Sequence, residues 1–255
     1  MKHKRLLLIT TCLVFVMICV VALRELFSVK DVNVVYSVTS NEVTEEMQSL
    51  LEKYKGKSIF LVDEQEIIDE ITANRYLKVV SVKKNYPNEI VVNLTQRLEK
   101  YYYFNGENTY YFDDEYFVVR ASELPETVDF LTEISFSNID GTALTVDCNL
   151  KSVINFPYSF NADVDKIYDC IKNVSSNVKK ISFVTTQEEG NYRVRLLMRE
   201  GVTIEVRKAG DSLTDKLNQA ITFYIELEEA RKIEGVVIVQ RNDNGKITTV
   251  HTFND

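Results

Sequence analysis

The first 23 residues divide into a short basic head and a long apolar run. Residues 1–5 carry three cations and no acid, and residues 6–23 carry no charged side chain. A helix of that length, at about 1.5 Å per residue, spans roughly 27 Å, which is close to the hydrocarbon thickness of a bilayer. The pattern therefore predicts a transmembrane signal anchor at residues 6–23. The basic head predicts a cytoplasmic N-terminus at residues 1–5, with the remaining chain outside the membrane.

A cleaved signal peptide is the alternative interpretation of the same run. The small residues of Val20-Val21-Ala22 could be accepted by a signal peptidase. The apolar core of a signal peptide, however, is usually about 7–15 residues long. The greater length of this run favours an anchor that is retained.

From residue 27 to residue 97 the pattern changes between strand and helix periods. Alternating apolar residues predict strands in FSVKDVNVVYS, YLKVVSVKKNYP and NEIVVNLTQR, with a turn at Pro87-Asn88. Between the first two strands, a helix is predicted by the helical spacing of Val43, Met47, Leu50, Leu51 and Tyr54. A second short helix is predicted to bury its isoleucines at 67, 68 and 71. The order strand, helix, helix, strand, strand indicates a compact α+β domain at residues 27–97.

The segment between these two helices, GKSIFLVD, begins with Gly-Lys-Ser, the tripeptide that ends a phosphate-binding loop. That loop requires a second glycine five positions before Gly56, where Leu51 stands, and an apolar run follows Ser58 in place of a helix. We therefore predict no nucleotide site. Gly56 is expected to end the first helix, which Thr44 would cap, and residues 59–61 are expected to enter the shared core.

The second helix has its own start signal. Asp63 and Glu66 form a pattern typical of a capping box, and Val62 and Ile67 are spaced as a hydrophobic staple.

Residues 98–255 have the pattern of a second, β-rich domain. YYYFNGENTYYF predicts two strands around an Asn-Gly loop, YFVVR a third, and residues 121–160 are expected to be irregular. An amphipathic helix is predicted from Val164 to Val174, and another from Ser212 to Glu229. Further strands are predicted at 179–185, 191–199 and 202–207, and GVVIVQ with ITTVHTF predicts a closing hairpin.

Charge and composition exclude several functions for the external part of the chain. Beyond residue 23 there are 27 basic and 38 acidic residues, a net charge of −11, which disfavours nucleic-acid binding. The two histidines, His3 and His251, cannot form a His-rich metal site, and no Cys-x-x-Cys motif replaces them. No Gly-x-Ser-x-Gly elbow accompanies His251. We therefore predict no enzyme activity, no metal and no cofactor.

Two features leave alternatives open. Six tyrosines between Tyr101 and Tyr116 could stack on wall sugars, although alternation in strands would point them to opposite faces. Cys148 and Cys170 could form a disulfide or remain a reduced pair.

The chain resembles the FtsQ/DivIB family of bacterial cell-division proteins. The resemblance is carried by LFSVKDVNV, GKSIFLVD, RYLKVVSVKKNYPNEIVVNL and LMREGVTIEVRKAGDSLTDKL. The chain departs from the family at Tyr86, where Trp is frequent, at residues 97–100, which lack a Pro, and at Asp113–Tyr116, where Asp-x-x-Gly is frequent. The resemblance implies a POTRA-type domain at residues 27–97 and a mixed β domain with two helices at residues 98–255.

The resemblance also implies a function and partners. It implies a non-catalytic scaffold at the division septum that helps regulate wall synthesis and binds single-span division proteins of the FtsB/DivIC and FtsL types. In that family the C-terminal strand region of the β domain receives the partner. Carried onto this chain, this gives the partner-binding residues Ile247, Thr248, Thr249, Val250, His251 and Thr252. A wall-glycan-binding module and a POTRA-type secretion or assembly protein remain the alternatives.

Overall fold

The architecture comes from a computed structural model of the 255-residue chain. It describes residues 2–37, 41–123, 129–172, 174–186, 191–210 and 212–253, with the backbone alone at 2–9, 41 and 175. The chain divides into two compact units, residues 1–97 and 98–255. Each unit has its own hydrophobic core.

The chain begins with one long helix, α1 (Lys2–Leu26). Its apolar side chains from Leu13 to Leu26 are exposed. Within the part of the chain that the structure describes, no helix combines the length and the apolarity needed to cross a membrane. The transmembrane anchor at residues 6–23 therefore stays a sequence-based prediction.

The rest of the first unit has the predicted order of strand, helix, helix, strand, strand. Its elements are β1 (Asp31–Tyr36), α2 (Asn41–Leu51), α3 (Glu64–Thr72), β2 (Leu77–Asn85) and β3 (Glu89–Gln96). β3 lies in the middle of the three-stranded sheet, parallel to β1 and antiparallel to β2. The order β1-β3-β2 follows from the hairpin at Pro87-Asn88 and from the two-helix connection that β1 needs to reach its parallel partner.

The helix boundaries follow local capping signals only in part. Asp63 caps α3 as predicted, since its carboxylate accepts a hydrogen bond of 2.9 Å from the Gln65 amide. Thr44 lies inside α2, not at its start, so that predicted cap is wrong. Gly56 has a φ of 83°, but a 3₁₀ turn at Glu52–Tyr54 separates it from α2.

The segment after Gly56 enters the core less completely than predicted. Ile59 and Val62 are fully buried, whereas Phe60 and Leu61 are exposed by 57% and 84%. The expectation that residues 59–61 all enter the core is therefore wrong. Ile59 is held inward because its amide donates to the Phe27 carbonyl, which leaves the next two side chains outside.

The second unit is a large sheet with helices on one face. Its strands are β4 (Tyr101–Phe104), β5 (Thr109–Phe112), β6 (Val118–Ser122), β7 (Thr132–Asn138), β8 (Val178–Thr185), β9 (Tyr192–Met198), β10 (Thr203–Val206), β11 (Val236–Arg241) and β12 (Ile247–Thr252). Its α-helices are α4 (Asn161–Cys170), α5 (Val174–Asn177) and α6 (Leu213–Glu226). Over the described residues, the sheet order is β12-β11-β10-β9-β8-β7-β4-β5-β6.

The two faces of this sheet differ in chemistry. Aromatic and branched side chains on one face pack with α4 and α6 into a single core. The opposite face carries polar pairs such as Ser135 Oγ, which donates to Ser182 Oγ over 2.9 Å, and Lys180, which pairs with Glu133. One face is therefore the interior and the other faces outward, as is common in an antiparallel or mixed sheet.

The structure corrects the sequence-based elements of this unit in two places. Residues 121–160 are not wholly irregular, because they contain β7 in the interior of the sheet. The helix predicted from Val164 to Val174 begins earlier and ends at Cys170, since Ile171 is extended. α6 also ends three residues before Glu229, where Leu227 becomes extended.

The aromatic residues and cysteines of the second unit contribute to its core. Four of the six tyrosines are buried, namely Tyr101, Tyr103, Tyr111 and Tyr116, so their rings are not available for stacking on sugars. Cys148 and Cys170 are free thiols. Burial raises the pKa of the Cys148 thiol to about 12, which keeps it protonated and unreactive at neutral pH.

Candidate functional site

The six residues singled out in the sequence, 247–252, form the whole of β12 at one end of the large sheet. β12 pairs with β11 in an uninterrupted antiparallel register from Arg241↔Ile247 to Val236↔Thr252. No described strand pairs with its other side. A row of backbone N–H and C=O groups on that side is therefore open to an incoming strand.

The alternation of hydrogen-bonded and non-hydrogen-bonded pairs along β11 and β12 shows which residues of β12 present these open groups. At the turn, the Asn242 amide donates to the Lys246 carbonyl over 2.9 Å, so residues 242 and 246 form a hydrogen-bonded pair. In an antiparallel ladder, hydrogen-bonded and non-hydrogen-bonded pairs alternate. Residues 248, 250 and 252 therefore direct their backbone groups toward β11. Residues 247, 249 and 251 direct theirs toward the open edge.

A side-chain contact agrees with this assignment. Gln219 Nε2 on α6 donates to the backbone carbonyl of Ile247 over 3.3 Å. That carbonyl can accept from outside the sheet because it does not face β11. Thr249 and His251 remain as the two residues farther along the strand whose backbone groups face outward.

The side chains of β12 alternate between the two faces of the sheet. Register places Thr249 beside Val239 and Val206, in the core-facing row. Val250 lies beside Ile238 and Glu205, in the row on the polar face. Ile247, Thr249 and His251 thus face the helices, whereas Thr248, Val250 and Thr252 face away.

A groove lies between α6 and β12. Its volume is about 460 Å³, and its lining residues are Asn218, Gln219, Thr222, Phe223, Glu226 and Thr249. Thr249 Oγ1 is buried and has no hydrogen-bond partner among the described residues. A donor or acceptor on a bound segment could satisfy it, since buried polar atoms in proteins are normally hydrogen-bonded.

The C-terminal end of β12 is held by close backbone packing. Gly235, just before β11, has a φ of 92°, and a Cβ added there would lie 2.7 Å from both His251 Nε2 and the Thr252 carbonyl oxygen. The His251 ring also contacts Phe253 edge-on, with the ring centroids 4.8 Å apart. His251 is thus a packing residue of the strand end.

On the polar face of the sheet, two and three strands from the open edge, a cluster of charged side chains joins β9 and β10. Glu205 on β10 accepts hydrogen bonds of 2.7 Å from the Nε atoms of Arg195 and Arg207. Burial alone would raise the pKa of the Glu205 carboxyl, but these hydrogen bonds outweigh it and hold the pKa below its usual value. The cluster ties β9 to β10, two and three strands from the open edge.

Some residues of the site could not be found by sequence reasoning. Gly235 and Gln219 contact β12, but they lie far from it in sequence and carry no motif. The helical spacing of α6 identified a face that includes Leu217 and Ala220, and these residues form the core. Most groove-lining residues of α6 are polar and lie beside that face, and the helical period of apolar residues does not mark such positions as part of a site.

The described residues bear on two kinds of ligand site, for a metal ion and for a phosphate. No group of three or more His, Cys, Asp or Glu residues that could hold a metal ion occurs across the described ranges. The Gly-Lys-Ser tripeptide is followed by an irregular segment up to α3, without the helix N-terminus that a phosphate needs.

Comparison with known proteins identifies the first unit. Residues 27–97 match the family model described as the POTRA domain, FtsQ-type. No curated protein matches the chain. FtsQ-type POTRA domains are generally non-catalytic, and this domain indicates a scaffold role with protein–protein interaction in cell division. The order of strands and helices in this unit and the match at residues 27–97 support the resemblance of the chain to the FtsQ/DivIB family.

Proposed function

We propose that this protein is a membrane-anchored scaffold of the bacterial division machinery that binds its partner by strand addition to β12. The proposed partners are single-span division proteins of the FtsB/DivIC and FtsL types. Through them the protein helps regulate septal wall synthesis. The observation that carries the proposal is the open edge of β12, with the outward backbone groups of residues 247, 249 and 251.

Strand addition fits the chemistry of this edge. An incoming extended peptide would pair with the outward amides and carbonyls, which supplies affinity. Its side chains would alternate between the α6–β12 groove and the polar face beside Val250, which supplies selectivity. Val250 and Phe253 are exposed apolar side chains that such a peptide would cover.

The anchor is part of the same proposal. The uncharged run at residues 6–23 follows three cations, and the described apolar side chains of α1 are exposed. A contiguous exposed apolar surface of this kind requires a lipid or protein environment. We propose that α1 crosses the cytoplasmic membrane once, with the N-terminus in the cytoplasm and the two folded units outside at the division septum.

A proline at position 249 tests strand addition. Thr249→Pro removes an outward-facing N–H without removing a hydrogen bond to β11. We expect the variant to fold but to bind the ectodomain of an FtsB/DivIC-type partner at least about tenfold more weakly, since the loss of one central backbone bond also misaligns its neighbours. Binding is measured by titration calorimetry with the full chain in detergent.

Thr249→Ala is the matched control, because it removes the same side chain and keeps the backbone donor. It can lose at most the single contact of Oγ1, so it should bind clearly more tightly than Thr249→Pro. Equal affinity for Thr249→Pro and the unaltered chain, with both folded, would reject pairing at this edge. Equal losses in both variants would assign the effect to the side chain instead.

A further inference from the structure

The first unit carries an exposed aromatic cluster that its own core does not explain. Phe60 lies between Phe27 and Tyr86, with ring centroids 4.9 Å and 5.4 Å apart respectively. Phe60 is 57% exposed, Tyr86 58% and the neighbouring Leu61 84%. Large apolar side chains that gather at the surface mark a site of contact with another apolar phase or protein.

This cluster is joined directly to the end of α1. The Ile59 amide donates to the Phe27 carbonyl, and the Val29 amide donates to the Lys57 carbonyl, each over 2.9 Å. Ser28 and Ser58 form an isolated β-bridge between the same two segments. The loop that carries Phe60 and Leu61 is therefore held within one residue of the point where α1 ends.

The turn that carries Tyr86 is attached to the same point. The Lys30 amide donates to the Asn88 carbonyl over 2.8 Å. Two loops that are distant in sequence thus both attach to residues 27–30, directly after the end of α1. If α1 crosses the bilayer, as proposed above, both loops lie at the membrane surface.

The residue types suit the interface of a bilayer. Aromatic residues are enriched where the hydrocarbon meets the headgroups, and a tyrosine ring can keep its hydroxyl in the wet layer. Arg24, Lys57 and Glu25 are exposed and line the same surface hollow as Leu61, which gives two cations and one acid beside the cluster. Cations beside an apolar tip favour anionic lipid headgroups.

We propose that Phe60, Leu61 and Tyr86 insert into the interfacial layer of the leaflet in which α1 ends, and so orient the POTRA domain on the membrane. The inference rests on the proposed anchor. The partner is the lipid surface itself, because the cluster is continuous with the end of an apolar helix through backbone hydrogen bonds. Lipid contact at three points fixes a tilt that a single flexible tether cannot.

The chain contains no tryptophan, which allows a single reporter to be introduced. The full-length Phe60→Trp variant is reconstituted into vesicles of phosphatidylcholine and phosphatidylglycerol, with part of the lipid brominated in the upper acyl chain. We expect a blue-shifted emission and about twofold quenching by the brominated lipid, because interfacial side chains penetrate roughly 5–10 Å. Leu61→Trp provides a second reporter on the same loop.

Tyr76→Trp is the matched control. Tyr76 precedes β2 and Tyr86 follows it, so the nine residues of the strand separate the two rings by roughly 30 Å. The control variant should not be quenched. Vesicle flotation is measured in parallel and reports on the anchor independently.

Each outcome decides the inference. A chain that floats with vesicles but shows no quenching at either position 60 or position 61 would overturn the lipid contact and leave the anchor standing. A blue shift without quenching would mean that protein covers the cluster, which also overturns it. A chain that fails to float would overturn both the anchor and the inference that rests on it.

Discussion

At the residue scale, Gly235 determines how closely the end of β12 packs against the start of β11. Its φ of 92° lies in the region that side chains disfavour, and His251 Nε2 and the Thr252 carbonyl occupy the space a Cβ would need. A substitution there would push the last two residues of the edge strand outward. Gly245, in the turn of the same hairpin, has a φ of 76° but nothing within 4 Å of a Cβ.

Alanine substitutions at these two glycines distinguish the cost of backbone strain alone from the cost of strain combined with displacement of the strand. We expect Gly235→Ala to lower the free energy of unfolding by about 3 kcal/mol, because strain and a steric clash combine. Gly245→Ala should cost only about 1 kcal/mol, because it adds strain alone. Urea unfolding of both variants measures this, and equal costs would show that the strand end relaxes around the added methyl group.

At the element scale, the strands near the edge are held together by a buried acid. The Glu205 side chain is only 3% exposed, while those of Arg195 and Arg207 are partly solvated. The carboxylate is the shared acceptor for both guanidinium groups. Its loss would leave two cations without their acceptor on the polar face of β9 and β10.

The lowered pKa of Glu205 gives a pH dependence with a definite sign. A carboxyl whose pKa is depressed by folding stabilises the protein above its unfolded pKa of about 4.3, and this contribution is lost as pH falls through the folded pKa. We expect Glu205→Gln to cost about 2 kcal/mol at pH 7 and progressively less below about pH 4. Urea unfolding across that pH range measures the difference.

Glu228→Gln is the control for this prediction. Glu228 is highly exposed and lies 3.9 Å from Arg231, so its loss should cost about 0.3 kcal/mol at most. A Glu205→Gln effect as small as that, or one that does not change with pH, would contradict the role of the ion cluster.

Sequence reasoning identified most elements because their burial repeats along the chain. β1 and β3 alternate clearly between buried and more exposed positions, and the Asp63 cap has a local signal. The sequence does not predict β7, although Thr132, Ile134 and Phe136 alternate. Thr132 is polar, and a polar residue at that position is expected to be exposed to solvent, whereas it is buried. That threonine is satisfied by donating to the Val178 carbonyl, a partner 46 residues away.

The sequence predicts which segment, residues 247–252, forms the candidate site, but not which of its backbone groups face the open edge. Alternation divides residues 247–252 between two faces, but nothing in the sequence tells which residues turn their backbone groups outward. That depends on the hydrogen-bonded pair at Asn242 and Lys246, which the turn geometry sets. The exposure of Phe60 and Leu61 was likewise unpredictable, since an apolar run carries no sign that its tip lies outside the core.

At the scale of the whole molecule, the two units have different proposed tasks. The first unit contains α1 and the FtsQ-type POTRA domain, and we propose that it meets the membrane through the Phe60 loop. The second unit contains the large sheet whose last strand is open on one side. The proposed scaffold role requires that a partner segment pairs with this strand.

Strand addition at β12 can be tested by hydrogen exchange of the β12 amides, resolved by residue, with and without the partner ectodomain. In the free protein the amides of residues 248, 250 and 252 should already be protected by β11, while those of 249 and 251 exchange quickly. Binding of the partner should slow exchange at 249 and 251 by roughly a hundredfold or more, because both amides then donate to the added strand. A saturated complex in which these two amides exchange as fast as in the free protein would contradict it.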